Sequence, residues 1–254
     1  MKKIFIFSLA ALFLLAAFMI LQEVLQQEKD RDRFEELAEL VAVEPMPLQE
    51  NAAKAEEIPE TEPATESVPA LRDLTPLFDR NADCVGWLQI TGTQVNYPVM
   101  HTPRDPERYL HKNFDGEYSP SGVPFLDGNC TLESQNRIFY GHNMKNGTMF
   151  AEITNYRDPA YRQAHPVVEL QTAEGISYFM VFAVVQVKNT DDWYWFYGAE
   201  GERYDSAVAQ MQERALYDTG ITPQTGTPLL TLSTCYGPGS DDRILVIAAQ
   251  MNQP

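Results

Sequence analysis

The hydrophobic pattern divides the chain into three stretches before any motif is considered. Residues 4–21 are apolar except for Ser8, residues 22–42 mix charged letters with scattered leucines, and residues 43–70 alternate Pro, Glu and Ala with no apolar period. From Leu71 onward, short apolar runs separated by turn residues take over. Leu71, Leu74, Leu77 and Phe78 predict a helix that Asn81-Ala82-Asp83 ends. Residues 85–90 and 95–100 predict a hairpin across Thr91-Gly92-Thr93, with Pro98 placing the second strand at an edge or a bulge. Further strands are expected at 122–126, 137–141, 167–172, 176–187, 228–234 and 243–251, and helices at 105–110, 149–155 and 204–216. In the last helix Tyr204, Val208, Met211 and Leu216 share one side. Many short strands without strand–helix alternation predict a mostly β fold, a largely antiparallel closed barrel with helical insertions and no internal repeat.

The N-terminal stretch changes the picture of where such a barrel works. Lys2 and Lys3 precede an apolar run that at helical rise reaches most of the way across a bilayer. A cleaved secretory signal is the rival reading, but the run passes through Ala16-Ala17 into Phe18-Met19-Ile20-Leu21 without a clear processing site, which favours an uncleaved anchor. Lysines before the run and acidic residues after it place the N-terminus in the cytoplasm and the remainder outside. The expected organisation is a cytoplasmic tip and transmembrane signal anchor at 1–21, an acidic linker at 22–70, first an exposed helix and then a Pro/Glu-rich spacer, and a folded domain at 71–254. A formal net charge of -17 argues against a nucleic-acid partner, because phosphate binding needs clustered Lys and Arg.

The candidate chemistry lies at strand ends. Thr231-Leu232-Ser233-Thr234 ends at Cys235, Tyr236-Gly237-Pro238-Gly239-Ser240 is a loop, and Arg243 opens the next strand. A thiol at a strand end beside a loop is accessible, whereas most cysteines are buried and inert. Arg243 follows Asp241-Asp242, so it is either a surface ion pair or a fork of donors aimed at a carbonyl oxygen under attack. Either aspartate is a candidate to orient Arg243 or a histidine. His142 ends an apolar strand and opens a Gly/Asn loop; His101, His111 and His165 sit in polar connections and are expected to have no catalytic role. Nucleophile, acid/base and oxyanion stabiliser are thus available in Cys235, His142 and Arg243. Cys84 and Cys130 are either a disulfide or two buried thiols. No metal-ligand spacing or phosphate-cradling loop is visible, so no cofactor or metal is expected. Trp193-Tyr194-Trp195-Phe196-Tyr197 reads as core packing or as a groove wall.

These residues resemble the sortases, the membrane-anchored cysteine transpeptidases of Gram-positive bacteria. The resemblance rests on the segment 231–235, Arg243 and Tyr140-Gly141-His142-Asn143. In order and spacing it extends to the class B pattern through Gly86-Trp87, Asn96-Tyr97-Pro98-Val99, Tyr109-Leu110, residues 122–127 and 140–150, and the helical insertion at 204–216. It covers residues 71–251. The Tyr-Gly-Pro-Gly after Cys235 replaces the charged residues of many class B members, and the spacing to Arg243 is shorter than in some.

The resemblance implies an eight-stranded sortase barrel with His142, Cys235 and Arg243 in the catalytic positions. It implies cleavage of a C-terminal sorting signal of a secreted protein after Thr, through a thioester, with transfer to an amine of a peptidoglycan precursor or a pilin lysine. The implied location is the outer face of the cell membrane, held by the N-terminal helix. A pilin polymerase with the same triad, a hydrolytic cysteine protease and a non-catalytic cell-surface binding module are the alternatives.

Overall fold

The structure is a computed structural model that describes residues 2–42, 71–191, 196–198, 201–237 and 240–251, with side chains in the first helix described from Leu12 on, Glu23 excepted. The Pro/Glu-rich spacer at 43–70 and residues 193–195 of the aromatic cluster lie outside the described residues. Phe196 and Tyr197, the rest of that cluster, pack half-buried against the core.

Eight strands close into a barrel in the order β1-β2-β3-β4-β7-β8-β6-β5. They are β1 (Cys84–Gln89), β2 (Asn96–Met100), β3 (Phe125–Leu126), β4 (Asn136–Tyr140), β5 (Val167–Thr172), β6 (Gly175–Lys188), β7 (Leu229–Cys235) and β8 (Asp242–Gln250). The expected hairpin forms, with the Ile90 N–H donating to the Val95 carbonyl at 2.9 Å. Pro98 pairs with Trp87 in register, and β3 touches β2 only at Met100, so the proline's missing donor falls on an unpaired flank. The register shift of this hairpin instead lies between Cys84 and Gly86. The barrel is mostly antiparallel, but β2/β3 and β4/β7 pair in parallel. That second pair forces the whole stretch between Tyr140 and Leu229 into a crossover.

The helices depart from expectation at their ends. The helix around Leu77 is α2 (Thr75–Arg80), and that expected at 105–110 is a single 3-10 turn, Arg108–His111. Residues expected to be helical from 149 form a 3-10 stretch, Ala151–Arg157, followed by α3 (Pro159–Ala164), which Asp158 caps by accepting the Ala160 N–H. The insertion helix α4 (Glu202–Glu213) buries Tyr204, Val208 and Met211 as its spacing predicts; Leu216 lies beyond it and is exposed.

Of the two expectations about the N-terminus, α1 (Lys2–Leu40) corrects that of an exposed stalk and does not show that of a membrane span. Among the described residues no helix is long and apolar enough to cross a membrane. The part of the expected span whose side chains are described, residues 12–21, rises only about 15 Å, half of a hydrocarbon core, before the polar stretch begins. The second half of α1 is not an exposed stalk: Phe34, Leu37 and Val41 are buried, and Leu40 faces solvent. Spacings of three and four residues put the first three on one face. Asp30 is buried with them and accepts from Ser119 Oγ at 2.6 Å. Around this seam Arg33 pairs with Glu117 at 2.8 Å and Arg80 with Asp115 at 2.8 Å and Glu36 at 3.3 Å. Partly exposed pairs of this kind contribute little beside the buried apolar face.

Cys84 and Cys130 are free and buried, which selects the two-thiol reading. Burial pushes the Cys84 thiol up to about 11 and the Cys130 thiol up to about 12, so both stay protonated and unreactive at neutral pH.

Close approach of β1 to β5 leaves no room at Gly86, where a Cβ would sit 2.4 Å from the Gln171 carbonyl oxygen. Gly86→Ala should therefore cost about 1–3 kcal/mol as overpacking, read as a lower urea midpoint with an unchanged m-value.

Candidate active site

Strand register assembles the site. In the parallel β4/β7 ladder Phe139 lies opposite Leu232 and Tyr140 opposite Ser233, so the chain leaves the two strands at the same rim, with His142 and Cys235 each two residues on. Two bonds lace the exits together: the Gly141 N–H donates to the Ser233 carbonyl at 3.3 Å, and Thr234 Oγ1 donates to the Gly141 carbonyl at 2.7 Å. In the antiparallel β7/β8 ladder Cys235 lies opposite Arg243. All three line one cavity of about 400 Å3, whose wall also includes Leu110, Asp127, Tyr140, Asn189 and Ser233.

Cys235 is half-exposed, unlike the other two cysteines. Its carbonyl accepts from Asn143 Nδ2 at 3.0 Å, so the residue after the histidine holds the backbone of the thiol residue. No spacing argument points to Asn143, which stands in the Gly/Asn loop without chemistry of its own.

His142 Nε2 is 2.9 Å from the Leu110 carbonyl. A carbonyl only accepts, so Nε2 carries the proton and Nδ1 is the nitrogen left to exchange one. Burial holds the His142 pKa below its usual value, against the raising effect of the Leu110 carbonyl and with help from His111. The His111 ring stacks on it with centroids 5.3 Å apart and 23° between planes. His111 therefore packs against the histidine of the site, which its polar surroundings in the sequence did not reveal. His165 fits its expected bland role, with Nδ1 3.0 Å from the Thr91 carbonyl.

Arg243 is not a surface ion pair with its neighbours. The Asp242 carboxylate is taken by Lys188 Nζ at 2.6 Å, and Arg243 donates from one terminal nitrogen to the Ser240 and Asp242 carbonyls at 3.2 and 3.1 Å. The Asp241 carboxylate accepts from Asn189 at 3.3 Å, so neither aspartate orients Arg243 or His142 through its carboxylate. Backbone carbonyls position the fork without neutralising it, which leaves its charge for an oxygen that develops in the cavity. Across the cavity Tyr140 donates to Asp127 Oδ2 at 2.9 Å. Among the described residues no cluster of His, Cys, Asp and Glu is arranged to hold a metal ion.

Because the folded-state pKa of His142 lies below its ordinary value, the unfolded chain binds more protons as pH falls through the region just below 6.5, and stability rises with pH there. Thermal midpoints measured from pH 7 down to pH 5 should fall, and His142→Gln should fall less steeply. The half-buried His101, lowered for the same reason, accounts for part of the slope that remains.

The sortase domain family model matches residues 88–251. Sortase B of Listeria monocytogenes is 32% identical over 169 residues, covering 65% of this chain and 66% of that protein, a little under two thirds of its length. Among solved structures, Clostridium perfringens sortase B is 29% identical with a TM-score of 0.66, over 71% of this chain and 100% of the other. A Bacillus anthracis sortase B is 26% identical with a TM-score of 0.73, over 91% and 100%. With a barrel, a strand-end cysteine and these relatives in agreement, the chain belongs to the sortase family, and its relatives are sortases B.

Proposed function

We propose that this chain is a cysteine transpeptidase that cleaves a C-terminal sorting signal after a threonine and joins the acyl group to an amine of the cell wall. The observation that carries this reading is the register that sets Cys235 opposite Arg243 and beside the exit of the His142 strand, around one cavity. Neutral His142 takes the thiol proton on Nδ1 as the Cys235 sulfur bonds to the threonine carbonyl carbon. Arg243 stabilises the oxyanion. Collapse breaks the carbon–nitrogen bond, the proton passes from Nδ1 to the leaving amine, and a thioester remains. An incoming amine attacks the thioester and gives its proton to His142; the carbon–sulfur bond breaks and the thiolate recovers that proton. Two buried polar atoms on the wall, Ser233 Oγ and Asn189 Oδ1, have no hydrogen-bond partner among the described residues, and a bound peptide backbone would supply one.

The amine is that of a peptidoglycan precursor or a pilin lysine, and the substrates are secreted proteins. The place of action is the cell envelope. Attachment to the membrane through the N-terminal segment is supported by α1 itself, since Phe13, Leu14, Phe18, Met19 and Ile20 are each more than half exposed and need an apolar partner.

Mass spectrometry of the protein with threonine-containing sorting peptides, with and without amines, tests this. The expected result is a peptide adduct on Cys235 that an amine converts to a ligated peptide. Release by water alone, whatever amine is added, would make the protein a protease, and no adduct with any peptide would leave a binding module. Cys235→Ala should abolish adducts while the fold persists. Arg243→Lys should lower kcat on the order of 10²–10³-fold, because a point charge does not replace the fork of donors at an oxyanion.

A further inference from the structure

The segment 142–150 begins with His142 and Asn143 and returns on itself. The Phe150 N–H donates to the His142 carbonyl at 2.8 Å, and Asn143 bridges Met149 in antiparallel fashion. A Cβ at Gly141 would sit 2.6 Å from the Phe150 ring, so the closing phenylalanine lies directly on the backbone that precedes the histidine. The closure is made at a strained residue: Met149 has φ of 58°, the left-handed region that an unbranched non-glycine residue enters only when its surroundings hold it there.

Besides the bridge to Asn143, one side chain holds it. The Met149 N–H donates to Tyr97 Oη at 3.0 Å, with Tyr97 and Met149 both buried. Tyr97 belongs to β2 and has its other neighbour on α1: the Phe34 ring meets it edge-on with centroids 5.1 Å apart and 78° between planes. A cavity of about 190 Å3 lies at this junction, lined by Phe34 and Ala38 of α1 together with Tyr97, Thr148 and Met149. The packing on the α1 side is therefore incomplete, and a shift of α1 would admit water to the bond that holds the N–H of the strained residue.

The geometry points to Tyr97 as a positioning residue for the reaction, and to the docking of α1 through Phe34 as the condition under which Tyr97 holds the His142–Asn143 segment. This rests on the transpeptidase reading above and deepens it. The helix nearest the N-terminus thereby governs the histidine that moves the proton and, through Asn143, the backbone carbonyl of Cys235. Tyr97 is not among the residues that line the cavity of Cys235. Its effect passes through Met149, so losing it misplaces the histidine without weakening peptide binding.

The test compares the full chain with Tyr97→Phe, which keeps the ring against Phe34 and removes only the acceptor, and with Phe34→Ala, which removes the α1 contact. Three readouts are used: amide hydrogen exchange across 142–150, kcat and KM for a ligated sorting peptide, and the rate at which iodoacetamide labels Cys235. In both variants exchange at Met149 and Phe150 should accelerate and the labelling rate of Cys235 should change. The kcat should fall roughly ten- to a hundred-fold with KM unchanged, the loss expected of a reacting group misplaced by a remote change. Unchanged exchange in Tyr97→Phe would overturn the proposal. So would faster exchange with unchanged kcat, or a loss confined to KM. If Phe34→Ala does not fold, Tyr97→Phe alone decides. A native chain that ligates no peptide would defeat the transpeptidase reading, and exchange and Cys235 labelling would still uphold or overturn the joint.

Discussion

Everything in the candidate site depends on the register of three adjacent strands. Parallel pairing of β4 with β7 brings two strand exits to the same rim, and antiparallel pairing of β7 with β8 brings the next strand's entry to the same place. A slip of one residue in either ladder would turn each side chain to the opposite face of the sheet. The register is held by buried side chains along β7 and β8, whose apolar residues from Leu229 to Ala249 are almost wholly enclosed. It is also held by the polar bond of Thr231 Oγ1 to Asn136 Oδ1 at 2.8 Å, buried at the far end from Cys235. Core packing and site geometry are thus one constraint.

Electrostatics refine what the register sets. Lys188 pairs with the Asp242 carboxylate, and the guanidinium of Arg243 is oriented by neutral carbonyls. Burial keeps His142 uncharged near neutral pH, and the Leu110 carbonyl fixes which nitrogen holds the proton. A neutral base and a guanidinium held by backbone carbonyls on one cavity wall suit chemistry in which a proton leaves a thiol and charge gathers on an oxygen.

Much of the barrel was legible in the sequence, because each strand is a short apolar run bounded by turn residues and β5 to β8 fall within a few residues of expectation. Cys235, His142 and Arg243 were legible for the same reason, as chemistry-bearing residues at strand ends. The missing parts are those that spacing does not encode. The parallel β4/β7 contact joins segments about ninety residues apart and has no local signature. The Leu110 carbonyl is backbone, and any residue would supply it. The docked half of α1 did leave a signal, an apolar face at Phe34, Leu37 and Val41, but the surrounding charges gave the stretch the look of a solvated stalk. The expectation of a membrane crossing rests on the apolar run at 4–21, whose side chains are described only from Leu12 on.

The crossover also sets the order in which the molecule is completed. The two strands that fill the space between β4 and β6 are the last to be synthesised, so the barrel stays open until its final twenty-odd residues arrive. Before that moment the β4 edge is unpaired on one side and the cysteine has no arginine opposite it. A chain interrupted anywhere before Asp242 therefore lacks β8 and Arg243, and assembly of the candidate site coincides with closure of the sheet.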